Sequence, residues 1–120
     1  MRAAFAITAV LVASLCAAAA TAAPVTMTVT PSTVSAGHKV KIKGNADGCP
    51  VGSTVFILSR AFVHTHDFAG VPAVLSLVRT GGKFAVRTTI PGTKKHGRYT
   101  VTARCGGGNL GVLRHLRVTA

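Results

Sequence analysis

Residues 98–105 read RYTVTARC, and they decide the fold. Tyr99, Val101, Ala103 and Cys105 fall on one side of an extended chain, and Arg98, Thr100, Thr102 and Arg104 fall on the other. Successive side chains of a β-strand point to opposite faces, so a period of two marks a strand with one face in a core and one in water. The strand ends in a cysteine followed by Gly106, Gly107 and Gly108. Three glycines could cradle a phosphate, but such a cradle needs a following helix N-terminus or a lysine placed to reach the phosphate. The next segment, about 110–119, reads as a strand, so the glycines are expected to form a flexible strand connection.

The same period recurs in both directions from this stretch. Val25, Met27 and Val29 alternate with threonines, and HKVKIK (38–43) sets Val40 and Ile42 against Lys39, Lys41 and Lys43. TVFIL (54–58) is a continuous apolar run, as expected of a central strand covered on both faces. Residues 73–79 are strand-like, and Gly81-Gly82 ahead of Lys83 reads as a tight hairpin turn. In KFAVRTTI (83–90), Phe84, Val86, Thr88 and Ile90 share a face. The last strand places Leu116 and Val118 inside, with Arg114 on the same inner face, which predicts a bulge or an exposed end. Pro31 with Ser35-Ala36-Gly37, and residues 45–52, read as turns. Residues 60–72 have no clean period and form the longest irregular stretch. Seven short strands with no helix-length amphipathic segment predict an all-β protein, an immunoglobulin-like antiparallel β-sandwich.

The amino terminus has a different character. Arg2 precedes an apolar run from Phe5 to Cys16, and Ala20-Thr21-Ala22 fits the small-x-small cleavage rule. Residues 1–22 therefore read as a secretory signal peptide. The strongly apolar part is shorter than the roughly 20 residues that span a bilayer. Leu15 stands before Cys16, where a lipoprotein site wants a small residue. Removal of the leader leaves residues 23–120 as a single domain. No membrane span is expected after signal removal, and the protein is expected to be secreted, extracellular or associated with the cell wall.

Cys49 and Cys105 remain after cleavage. In an exported chain an even pair reads first as a disulfide, with free thiols as the alternative. The closed loop of about 57 residues would contribute roughly 4 kcal/mol, against about 5–10 kcal/mol for such a domain as a whole. Lettering the strands A to G gives a check on this pairing. Strands B and F run the same way in the immunoglobulin topology; Cys49 follows B and Cys105 ends F, so both lie at one end. Tyr99, near the start of F, stands where a tyrosine corner would be, or is an ordinary core tyrosine.

VTPSTVSAG, GCPVGSTV and IPGTKKHGRYTVTARCGGG together resemble the small exported immunoglobulin-like domains of actinobacteria. That resemblance spans nearly the whole mature chain and implies the fold, export and the cysteine pair. It implies no particular activity, because such domains include uncharacterised secreted proteins and surface modules. The opening APVTMTVTPS is also similar to the secreted chromophore-carrying apoproteins of the neocarzinostatin type. That family has two disulfides, whereas this chain can form one.

Charge is lopsided. Lys and Arg number 14 against two acidic residues, with no Glu, for a formal +12; loss of Arg2 with the leader leaves +11. Such a balance attracts polyanions in general. Lys39, Lys41 and Lys43 line one exposed face, and Lys94, Lys95, His96 and Arg98 form a dense loop, so these seven are candidate anion-binding residues. In the expected topology the loops holding His38 and Lys94–His96 share one end. Mature-chain aromatics are few and mostly inward, so a specific nucleic-acid site is not expected. The expected partner is an anionic cell-wall polymer or other polyanion, bound without specificity.

His64, His66 and Asp67 are the candidate metal ligands. Two imidazoles at spacing two fall on one side of an extended segment, and Asp67 adds a carboxylate suited to Zn²⁺ or Cu²⁺. A polar loop with Asp67 capping a turn or pairing with an arginine such as Arg60 is the competing reading. Phe62, Val63, Phe68, Val71 and Pro72 make the loop unusually apolar, so it either folds over an open edge of the core or presents a recognition surface. No catalytic residues are assigned. The carboxylates number two, no nucleophile-elbow context exists, and a disulfide would remove both cysteines as nucleophiles. No cofactor is expected. The principal reading is a non-enzymatic binding or surface-associated domain; the alternative is a small-ligand or metal carrier using the 60–72 loop.

Overall fold

A computed structural model describes residues 25–106 and 108–120. The leader expected over residues 1–22 lies outside them. Among the described residues the chain forms nine strands: β1 (Thr26–Thr30), β2 (Thr33–Ser35), β3 (Lys39–Asn45), β4 (Thr54–Leu58), β5 (His66–Phe68), β6 (Val71–Leu77), β7 (Lys83–Thr89), β8 (Gly97–Cys105) and β9 (Gly108–Thr119). A 3₁₀ turn spans Thr80–Gly82. The strands make two sheets, one ordered β1-β3-β7 and one ordered β2-β9-β8-β4-β6-β5.

The inward residues follow the alternation of the sequence. Met27, Val40, Ile42 and Phe84 from the three-stranded sheet meet Val55, Ile57, Val101 and Leu116 from the six-stranded sheet in one buried cluster. The expected disulfide is formed between Cys49 and Cys105, with Cα atoms 6.2 Å apart. Cys105 ends β8 and Cys49 follows β3, so the bond ties one sheet to the other.

Three local expectations are corrected. Ala36 and Gly37 form the expected turn, but Ser35 instead ends a short strand, residues 33–35, paired in parallel with β9 over Thr33↔Arg117 to Ser35↔Thr119. The chain leaves the three-stranded sheet after Thr30 and joins the other, which a period-two reading of one segment cannot show. The stretch 60–72 is not wholly irregular: β5 and β6 form a hairpin, Phe68 opposite Val71. Its two turn residues are Ala69 at φ 51° and Gly70 at φ 80°. Positive φ at both central positions is what a tight hairpin turn matching the strand twist requires. Alanine is a poor signal for that conformation, which hides the turn in the sequence.

Gly81-Gly82 is the third correction. It does not close a hairpin, because β6 pairs with β4 and β5 while β7 pairs with β3. The connection crosses between sheets, and Ala46 N–H donates to the Gly82 carbonyl at 2.7 Å to hold it on the end of β3. Arg114 meets its expectation. The β8–β9 register shifts between Thr102 and Arg104, with three residues of β9 opposite one of β8, and Arg114 beyond the bulge is exposed.

Candidate functional site: a basic sheet face and a cleft at the loop end

The outer surface of the three-stranded sheet is built by strand parity. Thr26, Thr28 and Thr30 of β1 lie opposite Asn45, Lys43 and Lys41 of β3. On the far side, Lys39, Lys41, Lys43 and Asn45 stand opposite Thr89, Arg87, Ala85 and Lys83 of β7. Lys39, Lys41, Lys43, Lys83 and Arg87 thus share a face, and β1, β3 and β7 contain no Asp or Glu. Lys41 and Arg87 are directly paired in register. Like charges directly opposite one another destabilise a sheet, so a counter-anion on this face would stabilise it. A hollow of about 630 Å³ at one end of the face is rimmed by Lys43, Lys83 and Arg79.

A second basic group, Arg60, Lys94, Lys95 and His96, lies at the end of the fold away from the disulfide, where three loops meet. Gly37 N–H donates to Ile90 O at 2.8 Å and Ile90 N–H donates to His38 O at 2.9 Å. His38 and Lys39 are thereby set beside the loop after β7. Lys94 Nζ donates to the Arg60 carbonyl at 2.8 Å, joining that loop to the one after β4. Tyr99 Oη donates to the Lys95 carbonyl at 2.6 Å, so the tyrosine braces the loop leading into its own strand.

Residues 59–62 explain why the apolar loop lies where it does. Buried Ser59 accepts from the Ala61 N–H through its side chain at 3.1 Å and from the Phe62 N–H through its carbonyl at 3.2 Å. This tight turn drives Ala61 and Phe62 into the core, where Phe62 is 1% exposed. The loop covers the core at that point, and Val63 stays outside. The surface left above Phe62, Pro72, Pro91 and Tyr99 is a cleft of about 420 Å³ rimmed by Arg60, Lys94 and Lys95.

The His64–Asp67 cluster takes a different form from the one spacing suggests. His64 lies in a turn and β5 begins only at His66, so the two imidazoles are not neighbours on one extended face. Asp67 Oδ1 instead contacts His64 Nε2 at 2.6 Å, closing that turn. Among the described residues no group of three His, Cys, Asp or Glu side chains gathers to hold a metal ion. His66 is exposed, opposite Ala73 on the hairpin.

The structure therefore divides the seven residues read as anion-binding. Lys39, Lys41 and Lys43 belong to the sheet face; Lys94 and Lys95 belong to the cleft. His96 is exposed in the same loop, and Arg98 lies on β8 opposite Arg117 of β9. Lys83 and Arg87 were legible as outward residues of KFAVRTTI, but nothing local to that segment says that β7 pairs with β3. Arg60 stood out in the sequence only as an arginine with which Asp67 could pair; Asp67 contacts His64 instead, and the loop packing places Arg60 on the cleft.

Among the described residues no helix is long and apolar enough to cross a membrane. No protein-family model matches this chain, and no curated protein matches it. A solved structure of Pseudomonas fluorescens alkylpurine DNA glycosylase AlkC, bound to DNA containing an abasic site analog, is similar over 82% of this chain at 18% identity, with a TM-score of 0.51. This chain spans 31% of the length of that one, and the likeness is one of fold.

Proposed function

We propose that this chain is an exported immunoglobulin-like domain of the actinobacterial secreted type, which binds without catalysis and is held at the cell surface by anionic wall polymers. The leader-like residues 1–22 support export. Support for the immunoglobulin-like type comes from the two-sheet order, the disulfide between the sheets and the Tyr99 hydroxyl bonded back to Lys95.

The observation that carries the binding reading is the Lys41–Arg87 pair at the centre of a five-cation face with no acid on its strands. A polyanion laid on it releases counterions, so its affinity falls steeply with salt. On the slope known for duplex DNA, five engaged charges correspond to roughly a few-hundredfold loss between 50 and 200 mM salt. The test is retention of the mature protein on isolated cell envelopes at low and high salt. Retention is expected at low salt only, and is expected to drop for a Lys41→Gln/Lys43→Gln/Arg87→Gln variant. Equal retention at both salts, or no effect of the triple substitution, would overturn the reading.

A further inference from the structure

Arg60 and Tyr99 line two hollows, one of about 420 Å³ and one of about 440 Å³. In the first, Pro91 lies over buried Phe62 and Pro72 to give an apolar wall, Thr93 gives a hydroxyl, Lys94 and Lys95 two amines, and His64 an imidazole already engaged by Asp67. In the second, Leu58 and Val71 give the floor, Thr100 and Thr102 the hydroxyls, and Arg98 a guanidinium. Each hollow thus repeats the same three elements beside the shared Arg60 and Tyr99. Both volumes lie in the range of about 300–1,000 Å³ typical of small-molecule sites.

We infer that this paired cleft binds an acidic polysaccharide through two successive sugar units, each bearing a carboxylate. A surface that offers the same chemistry twice matches a ligand that repeats. A sugar ring has an apolar C–H face for Tyr99 and Pro91, and hydroxyls for the threonines. Its carboxylate fits the planar fork of Arg60 or Arg98, which can grip both oxygens at once. A bare phosphate chain would satisfy the cations and leave both apolar surfaces uncovered. An acyl chain would bury those surfaces and strand the threonine hydroxyls and the charges. Asp67, the acid closest in sequence to Arg60, is already engaged by His64 at 2.6 Å.

The inference deepens the polyanion reading and rests on it for the class of ligand, but it uses residues distinct from the Lys41–Arg87 face. The experiment is calorimetric titration of the mature, disulfide-bonded protein with trigalacturonate, its uncharged galactose trimer and trimetaphosphate. Trigalacturonate is expected to bind at least tenfold tighter than either of the others. Arg60→Ala/Lys95→Ala removes charge from the cleft, and Thr93→Trp fills it without changing charge. Thr93 is exposed, so folding is not at stake. Both variants are expected to lose tenfold or more, while Lys41→Gln/Arg87→Gln stays within about twofold. Equal affinity for trimetaphosphate, or unchanged affinity in the Thr93→Trp protein, overturns the inference. Lost envelope retention in the sheet-face variant with trigalacturonate binding intact supports both sites separately. Salt-independent retention with trigalacturonate binding intact removes the sheet-face reading alone.

Discussion

Arg114 Nε donates a hydrogen bond to the Met27 carbonyl oxygen at 2.8 Å, from β9 of the six-stranded sheet to β1 of the three-stranded sheet. The two sheets are not paired along this seam, so the backbone ladder cannot close it. The opposite seam, between β6 and β7, is closed in a similar way by a side chain. Ser76 Oγ accepts from the Ala85 N–H and donates to the Ala85 carbonyl, both at 3.2 Å. Each seam thus carries a side-chain bond where a strand partner is missing.

These contacts set the first prediction. Ser76 is 9% exposed, and Ser76→Ala leaves both Ala85 groups without that partner, at an expected cost of about 1–3 kcal/mol. Arg114→Ala removes the bond to the Met27 carbonyl across the seam and a second, local one to the Leu113 carbonyl, both from an exposed residue, at an expected cost of about 1–2 kcal/mol. Urea denaturation of the two single variants and the double variant measures both. Near-additive losses are expected, because the seams lie on opposite sides of the core.

Reduction of the Cys49–Cys105 bond is expected to lower stability by roughly 4 kcal/mol, since it releases a closed loop of about 57 residues in the unfolded chain. Denaturation with and without reductant, or of a Cys49→Ala/Cys105→Ala variant, gives the value. A loss below about 1 kcal/mol would show that the sheets hold together without the link.

The hairpin turn offers a stabilising substitution. Ala69 sits at φ 51°, where an L-residue with a Cβ is disfavoured and asparagine is tolerated far better. Ala69→Asn is expected to raise stability by about 0.5–1 kcal/mol. A change in thermal midpoint for this exposed residue reads it directly, and an unchanged or lower midpoint would count against the turn geometry.

Gly44 predicts the opposite sign for a change usually thought mild. It lies in β3 opposite Phe84, and a Cβ there would meet the Thr26 carbonyl oxygen and come within 2.8 Å of the Phe84 ring. Strand registers on both sides prevent β3 from moving away. Gly44→Ala is expected to destabilise by about 1–3 kcal/mol, as overpacking does, although the same change at an open position adds stability. Urea midpoints for Gly44→Ala and, as an unobstructed control, Gly92→Ala separate the two effects.

Much of the fold was legible because β-strands write their period into the chain. RYTVTARC, HKVKIK and KFAVRTTI each state which side chains face the core, and the structure buries Val101, Ile42 and Phe84 accordingly. The cysteine pair was legible for a similar reason: two strands ending at one end of a two-sheet fold leave their cysteines within bonding reach. The parts that stayed hidden depend on partners. Ser35 is a strand residue only because β9 lies alongside it, and the turn at Ala69 lacks the asparagine that would announce it.

The candidate sites divide along the same line. By itself the sequence determined that the chain is all-β and strongly basic and that Lys39, Lys41 and Lys43 point one way, because parity and charge are local properties. Tertiary structure alone decided that Arg87 stands opposite Lys41, that His64 turns to Asp67 and that Arg60 meets Tyr99 at a cleft. Those juxtapositions depend on which strands pair and on the Ser59 turn that pulls Phe62 into the core. They link residues 46 apart in sequence for the sheet and 39 apart for the cleft, and no local pattern encodes contacts of that separation.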